Sequence, residues 1–211
     1  SALNQTHKDI EVIVVDDGST DASLKVIQSF GDAIRWDATP NRGGNHARNR
    51  LLEMASGAWV QYLDADDCLS ATKVAEQVSF LDDHPDADVV YSPVLFEYWN
   101  AATTSVTHVE TPEVQVSEDP WTLLIQWKLP QTGGPLWRKA AIDEVGGWNE
   151  SQPCCQEAEL YFRLLKNGAK FAYYDRAGAV YRQWSDGTVC KKDPLLSFGE
   201  RVEIIDAVES H

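Results

Sequence analysis

The run Ile10-Glu11-Val12-Ile13-Val14-Val15-Asp16 is apolar at nearly every position and rich in β-branched residues, the pattern of a strand covered on both faces. Asp17-Gly18-Ser19-Thr20-Asp21 then forms a turn whose Ser, Thr and Asp side chains cap a helix over 21–30. A short strand over 33–38 leads to the turn Asn41-Arg42-Gly43-Gly44-Asn45 and a helix over 45–55, ended by Gly57. A strand over 58–63, a helix over 71–83 and a long strand over 88–98 complete this half. Alternating strands and helices predict an α/β fold with a Rossmann-like, mostly parallel sheet flanked by helices.

The second half is less regular. Residues 103–118 are polar and β-prone, a hairpin or edge excursion, and 119–128 form a short amphipathic helix. Gln131-Thr132-Gly133-Gly134-Pro135 is a loop entering a strand at 135–138, followed by a helix over 139–145 that stops at Gly146-Gly147. A helix over 156–167 ends at Gly168, strands follow at 170–174 and 178–183, and a helix spans 194–209. With no internal repeat, low-complexity tract or linker, residues 1–211 read as one domain with a mixed C-terminal part.

The formal net charge of −15 excludes a generally basic surface for DNA or RNA, and equally a broadly basic membrane-docking face. Cys68, Cys154, Cys155 and Cys190 show neither a C-x-x-C pair nor zinc spacing, and read as reduced, structural thiols. No apolar run approaches 20 residues, so neither a transmembrane helix nor a signal peptide is expected. The expected location is cytoplasmic, with peripheral attachment at the inner membrane face open. Ser1 falls in what reads as the middle of a helix, so an upstream segment is expected. The eight Trp suit either core filling or stacking on sugars.

Chemistry concentrates at Leu63-Asp64-Ala65-Asp66-Asp67, where three carboxylates occupy four positions at a strand end. Such charges repel unless a cation lies between them, and hard oxygen donors suit Mg²⁺ or Mn²⁺. The plainer alternative is an acidic turn capping the next helix. Asp16-Asp17 also ends a strand, and ligands bind at the carboxyl ends of strands in such sheets, so both acidic groups should face one crevice. His7, His46, His84 and His108 are scattered without H-E-x-x-H spacing, and Gly43-Gly44 is neither a Walker nor a Rossmann fingerprint.

Taken in order, Ser1-Ala2-Leu3-Asn4-Gln5-Thr6, Val14-Val15-Asp16-Asp17-Gly18-Ser19-Thr20-Asp21, Asn41-Arg42-Gly43-Gly44 with Ala47-Arg48-Asn49, and Leu63-Asp64-Ala65-Asp66-Asp67 resemble the family 2 glycosyltransferases of the GT-A fold. Val145-Gly146-Gly147-Trp148-Asn149-Glu150 and Glu157-Ala158-Glu159-Leu160 with Arg163 resemble the acceptor-side motifs of that family. The resemblance implies a donor half over about 1–100, binding a nucleotide-diphosphate sugar, and an acceptor half over about 101–211. It implies Asp66 as metal ligand, Asp64 assisting at metal or ribose, Asp17 on the base (usually uracil) and Arg48 on ribose or phosphate. An exposed helix arginine is the alternative for Arg48, and capping of the next helix is the minimal role for Asp67.

Glu157 takes the family position of the general base, and inversion at the anomeric carbon follows. Glu159 lies roughly 200° further round the helix, so only one of the two carboxylates should face the cleft. The family pattern is Asp after Glu, whereas here it is Gln156-Glu157, and Trp184 stands where a His is common. Trp184 suits stacking on a sugar or base, or core packing. The family's first strand and its Pro-x-Tyr-Asn-like turn are expected upstream of Ser1. The implied cofactor is Mn²⁺ or Mg²⁺; saccharide, lipid-linked and protein acceptors all stay open. Alternatives are a nucleotide-sugar or carbohydrate-binding module of the same fold without transfer activity, and, last, a nucleotidyltransferase.

Overall fold

The computed structural model describes residues 1–100, 102–111, 119–184 and 193–211. Near the start, Ala2–Asn4 is a single 3-10 turn and not part of an α-helix. The buried Gln5 explains this, because its side chain donates to Ser70 O at 2.7 Å and accepts from Val74 N at 3.1 Å. The segment is anchored by tertiary contacts rather than by helical ones.

Strand β1 (Ile13–Asp17) runs parallel to β2 (Arg35–Thr39), with α1 (Ser23–Ser29) between them. Ile13, Val14 and Val15 are half-buried rather than covered on both faces. β2 is the only ladder partner of β1 among the described residues. Next come α2 (Gly44–Met54), the two-residue strands β3 (Trp59–Val60) and β4 (Cys68–Leu69), and α3 (Lys73–Phe80).

The long strand expected over 88–98 is divided into β5 (Val89–Tyr91) and β6 (Val94–Asn100). Pro93 interrupts the run, since proline has no N–H for a ladder. The edge strand β7 (Ser105–Glu110) pairs antiparallel with β6, and the rest of the expected excursion, 112–118, lies outside the described residues. Then follow α4 (Pro120–Ile125), β8 (Leu136–Arg138), α5 (Lys139–Glu144), α6 (Gln156–Lys166), β9 (Phe171–Tyr173), β10 (Ala179–Gln183) and α7 (Pro194–Glu209).

These strands make two four-stranded sheets, ordered β3-β8-β5-β9 and β4-β10-β6-β7. β5 and β6 run parallel to β9 and β10, so the chain changes sheet at the same level twice. The remaining pairs, β3/β8, β5/β8, β4/β10 and β6/β7, are antiparallel. The α/β architecture with flanking helices is as expected, while the pairing is mixed rather than mostly parallel. Only parallel neighbours need a long crossover, and β7 returns directly beside β6.

The main core lies between α6, α5 and β8. Trp137 stacks on Tyr161 at 5.1 Å, and Trp148 meets both Tyr62 and Trp137 edge-on. Trp137 and Trp148 are fully buried, so two of the eight Trp are core filler. No described helix is long and apolar enough to cross a membrane.

Candidate active site

The acidic turn joins β3 to β4. Trp59 and Val60 pair with β8, after which the chain leaves the ladder, and Asp67 N closes a turn on Asp64 O at 3.1 Å. The expected strand over 58–63 is therefore only two residues long, and its pairing is antiparallel. Asp67 does not cap a helix: its Oδ1 accepts Arg182 N of β10 at 2.8 Å, while Thr72 occupies the N-cap position of α3. Burial, followed by the neighbouring Asp66 and Asp64 carboxylates, pushes the Asp67 carboxyl up to about 7 against the hydrogen bond from Arg182.

The half-buried Tyr181 reports how these groups converge. Its hydroxyl is pushed up to about 12, first by burial and then by the carboxylates of Asp67, Asp66, Glu157 and Asp64. The acidic turn and the candidate base on α6 therefore both act on the Tyr181 hydroxyl of β10, whereas Asp16 and Asp17, the other acidic pair expected at the crevice, are not among the groups that shift it. Asp17 ends β1. Its Oδ1 accepts Arg42 N at 2.9 Å and its Oδ2 accepts Gly43 N at 2.8 Å, bracing the turn ahead of α2. Gly18 permits this close approach: its φ is +75°, and a Cβ there would lie 2.5 Å from Asn41 N.

Helix α2 presents Asn45, Arg48 and Asn49 on one face, the i, i+3, i+4 spacing. Asn45 Nδ2 donates to Asn149 O at 2.7 Å. Asn49 Oδ1 accepts Trp148 N at 2.7 Å, and its Nδ2 donates to Trp148 O at 2.9 Å. Arg48 Nη2 donates to Asp64 Oδ1 at 3.0 Å, and Nη1 to Gln156 Oε1 at 2.7 Å and Asn45 Oδ1 at 3.2 Å. Its guanidinium also lies 4.9 Å from the Trp148 ring centroid. With a side chain only 12% exposed, Arg48 is committed to protein partners. It joins the acidic turn to the first residue of α6. The clamp role of Asn45 and Asn49 was missed in the sequence, although their shared helix face was the signal for it.

On α6, Glu157 and Glu159 diverge as their spacing requires. Glu159 receives a two-pronged contact from Arg163 at 2.6 and 2.7 Å, and Arg163 Nη1 donates to Val145 O and Gly147 O. That pair is structural and holds the Gly146-Gly147 turn. Glu157 instead accepts a hydrogen bond from Thr132 Oγ1, through Oε1. The first turn of a helix favours a carboxylate. Trp184, in the position where a His was expected, stacks on Trp99 at 4.6 Å, and the Arg182 guanidinium lies 5.4 Å from the Trp99 ring.

The residues of the acidic turn suit a hard divalent cation. Asp66 is exposed and accepts no hydrogen bond among the described residues, and Asp64 uses only Oδ1 for Arg48. Burial is the main cause of the Asp67 shift, and the smaller part due to Asp66 and Asp64 is the repulsion a cation would relieve. Among the described residues no group of three or more His, Cys, Asp or Glu side chains is placed to hold a metal ion by itself. Mg²⁺ is commonly held by one or two carboxylates together with water and phosphate oxygens.

Residues 1–142 match the model of the Glycosyl transferase family 2. An uncharacterized glycosyltransferase of Nostoc sp. is 31% identical over 153 residues, covering 69% of this chain and 47% of that protein. The UDP-Glc:alpha-D-GlcNAc-diphosphoundecaprenol beta-1,3-glucosyltransferase WfaP of Escherichia coli is 38% identical over 84 residues, 39% of this chain and 34% of that one. Staphylococcus aureus TarS 1-349 in complex with UDP-GlcNAc superposes with a TM-score of 0.74 at 18% identity, covering 98% of this chain and 59% of that one. The mannosyltransferase PcManGT of Pyrobaculum calidifontis, in complex with GDP-Man and Mn²⁺, superposes with a TM-score of 0.60 at 17% identity, covering 85% and 50%. The chain spans 34% to 59% of the length of these four proteins. The solved structures share its GT-A fold, and by the match over residues 1–142 the chain belongs to glycosyl transferase family 2.

Proposed function

We propose that this chain is the catalytic GT-A domain of an inverting glycosyltransferase. It would move a sugar from a nucleoside-diphosphate sugar, with UDP as the favoured nucleotide, to an acceptor hydroxyl. The observation that carries this reading is the Arg48 bridge, which links Asp64 of the acidic turn to Gln156, the neighbour of Glu157. The complexes of similar structures with UDP-GlcNAc and GDP-Man support a nucleotide-sugar donor.

Asp66, assisted by Asp64, would hold Mn²⁺ or Mg²⁺. Such a cation, when bound, offsets the negative charge that gathers on a diphosphate leaving group. Asp17 would accept from the base with lone pairs left over from its two backbone contacts. Glu157 takes the proton of the acceptor hydroxyl. The acceptor oxygen bonds to the anomeric carbon as that carbon's bond to the diphosphate oxygen breaks, and the electron pair leaves with the nucleoside diphosphate. Attack from the face opposite the leaving group inverts the carbon.

The test is a screen of UDP-, GDP- and dTDP-sugars with Mn²⁺, reading release of the nucleoside diphosphate. Turnover of one donor that stops with EDTA and with Glu157→Gln is the expected result. Calorimetric donor binding without turnover, on a full-length protein, would replace the transferase by a binding module of the same fold.

A further inference from the structure

The loop Pro130-Gln131-Thr132-Gly133-Gly134 departs from the usual behaviour of connections, which run exposed over the surface. Thr132, Gly133 and Gly134 are buried. A buried loop must find partners for its backbone carbonyls, and this one finds them on separate elements. Pro130 O accepts the Tyr161 hydroxyl of α6 at 3.0 Å, and Gly133 O accepts Gln61 Nε2 at 3.0 Å. Gly134 O accepts Gln77 Nε2 of α3 at 3.2 Å and the Ser92 hydroxyl at 3.3 Å. Gly134 allows this packing, because a Cβ there would lie 2.7 Å from Pro130 Cβ and 2.9 Å from Val94 Cγ2.

Only one side chain of this loop reaches the candidate chemistry. Thr132, 2% exposed, donates its hydroxyl to Glu157 Oε1. Glu157 and Tyr161 lie one helical turn apart on α6, so both meet the same loop from the same face. One oxygen of Glu157 is thereby fixed, while Oε2 accepts no hydrogen bond among the described residues and is left for a proton. A base oriented by a third group is the general arrangement of activated proton acceptors.

We propose that Thr132 is a positioning residue for Glu157, and that the buried loop 130–134 is the rigid socket that sets its rotamer. The inference rests on the reading of Glu157 as general base. Misplacing a reacting group by about 1 Å costs on the order of 100-fold in rate, which sets the scale of the effect.

The experiment compares Thr132→Val, Thr132→Ser and Glu157→Gln in the full-length protein, with UDP-GlcNAc and Mn²⁺ as first probe and the donor selected by the screen thereafter. The readouts are kcat, donor KM and Tm. Thr132→Val should lower kcat by about 10- to 100-fold with donor KM within about twofold, and Thr132→Ser should keep most of kcat because it keeps the hydroxyl. If valine does not fold at this buried position, Thr132→Ala deletes the same hydroxyl with less volume and is held to the same comparison. A wild-type kcat for the hydroxyl-free variant, with Glu157→Gln inactive, overturns the positioning role alone. A Thr132→Ser variant as slow as Thr132→Val also overturns it, since methyl packing would then be the cause. Full activity of Glu157→Gln overturns the base assignment, and with it this role for Thr132.

Discussion

Arg48 and Asp64 are joined by a 3.0 Å contact from Nη2 to Oδ1, while the other prong of the same guanidinium holds Gln156 Oε1 at 2.7 Å. The acidic turn and the start of α6 therefore share one cation. Arg48→Ala would leave Asp64, Asn45 and Gln156 without their common donor, and unpaired buried groups cost about 1–3 kcal/mol each. The expected loss of stability is about 2–3 kcal/mol, partly relieved by the exposure of Asp64. Arg48→Lys should recover little of it, because an ammonium cannot span two acceptors as a planar fork does. Thermal unfolding of the two variants checks this, and equal Tm values for Lys and wild type would contradict it.

Asp66 presents the opposite case, a carboxylate with no hydrogen-bond or ion-pair partner among the described residues. Asp66→Ala should leave the metal-free stability within about 0.5 kcal/mol of wild type, as for surface changes in general. The rise in Tm on adding Mn²⁺ with a nucleoside diphosphate should disappear in this variant. A Mn²⁺-dependent shift as large as that of the wild type would move the metal site elsewhere.

Asp67 gives the site a pH dependence. Its carboxyl is pushed up to about 7 from the ordinary 3.8, chiefly by burial. A raised folded-state value means that the stabilising contribution is complete below about 4 and is lost as pH rises through about 7. Asp67→Asn keeps an oxygen for Arg182 N and removes the charge. It should match the wild type near pH 4 and exceed it in metal-free protein at pH 8, by about 1–2 kcal/mol after allowance for partial solvent screening. Urea unfolding at the two pH values checks the sign. Since a nearby cation favours the ionised form, the Mn²⁺-induced Tm shift of the wild type should also be larger at pH 8 than at pH 6.

The parts legible in the sequence were those with local causes. The limits of α7, 194–209, follow from Asp193 and Pro194 at its start, where Asp193 caps Leu196 N at 3.0 Å. The divergence of Glu157 and Glu159 follows from helical geometry alone. Roles that depend on a distant partner were not legible. Asp67 resembles a helix cap until β10 is seen beside it, and the bridge that Arg48 makes between Asp64 and Gln156 is visible only once α6 is placed beside α2. Thr132 carries no local signal at all, because its meaning comes from α6, 25 residues later. The division of strand 88–98 had its cause in plain view at Pro93, but an uninterrupted apolar pattern on either side concealed it.

Gly147 tests how firmly α2 is clamped to the turn Gly146-Gly147-Trp148. Its φ is +76°, and an added Cβ would stand 2.6 Å from Asn49 Oδ1, the atom that accepts Trp148 N at 2.7 Å. Alanine would therefore suffer twice. It would be held in a left-handed backbone that costs about 1 kcal/mol for a residue with a side chain, and it would push Asn49 off Trp148. The total expected for Gly147→Ala is about 2–3 kcal/mol, the second part being the loss of a partly buried hydrogen-bond pair. Asn49→Ala alone should show only that second part, about 1–2 kcal/mol. Because both changes act through Asn49, the double variant should cost less than the sum of the singles. A double-mutant cycle in urea measures the difference, and strict additivity would mean that Gly147 and Asn49 do not act on each other.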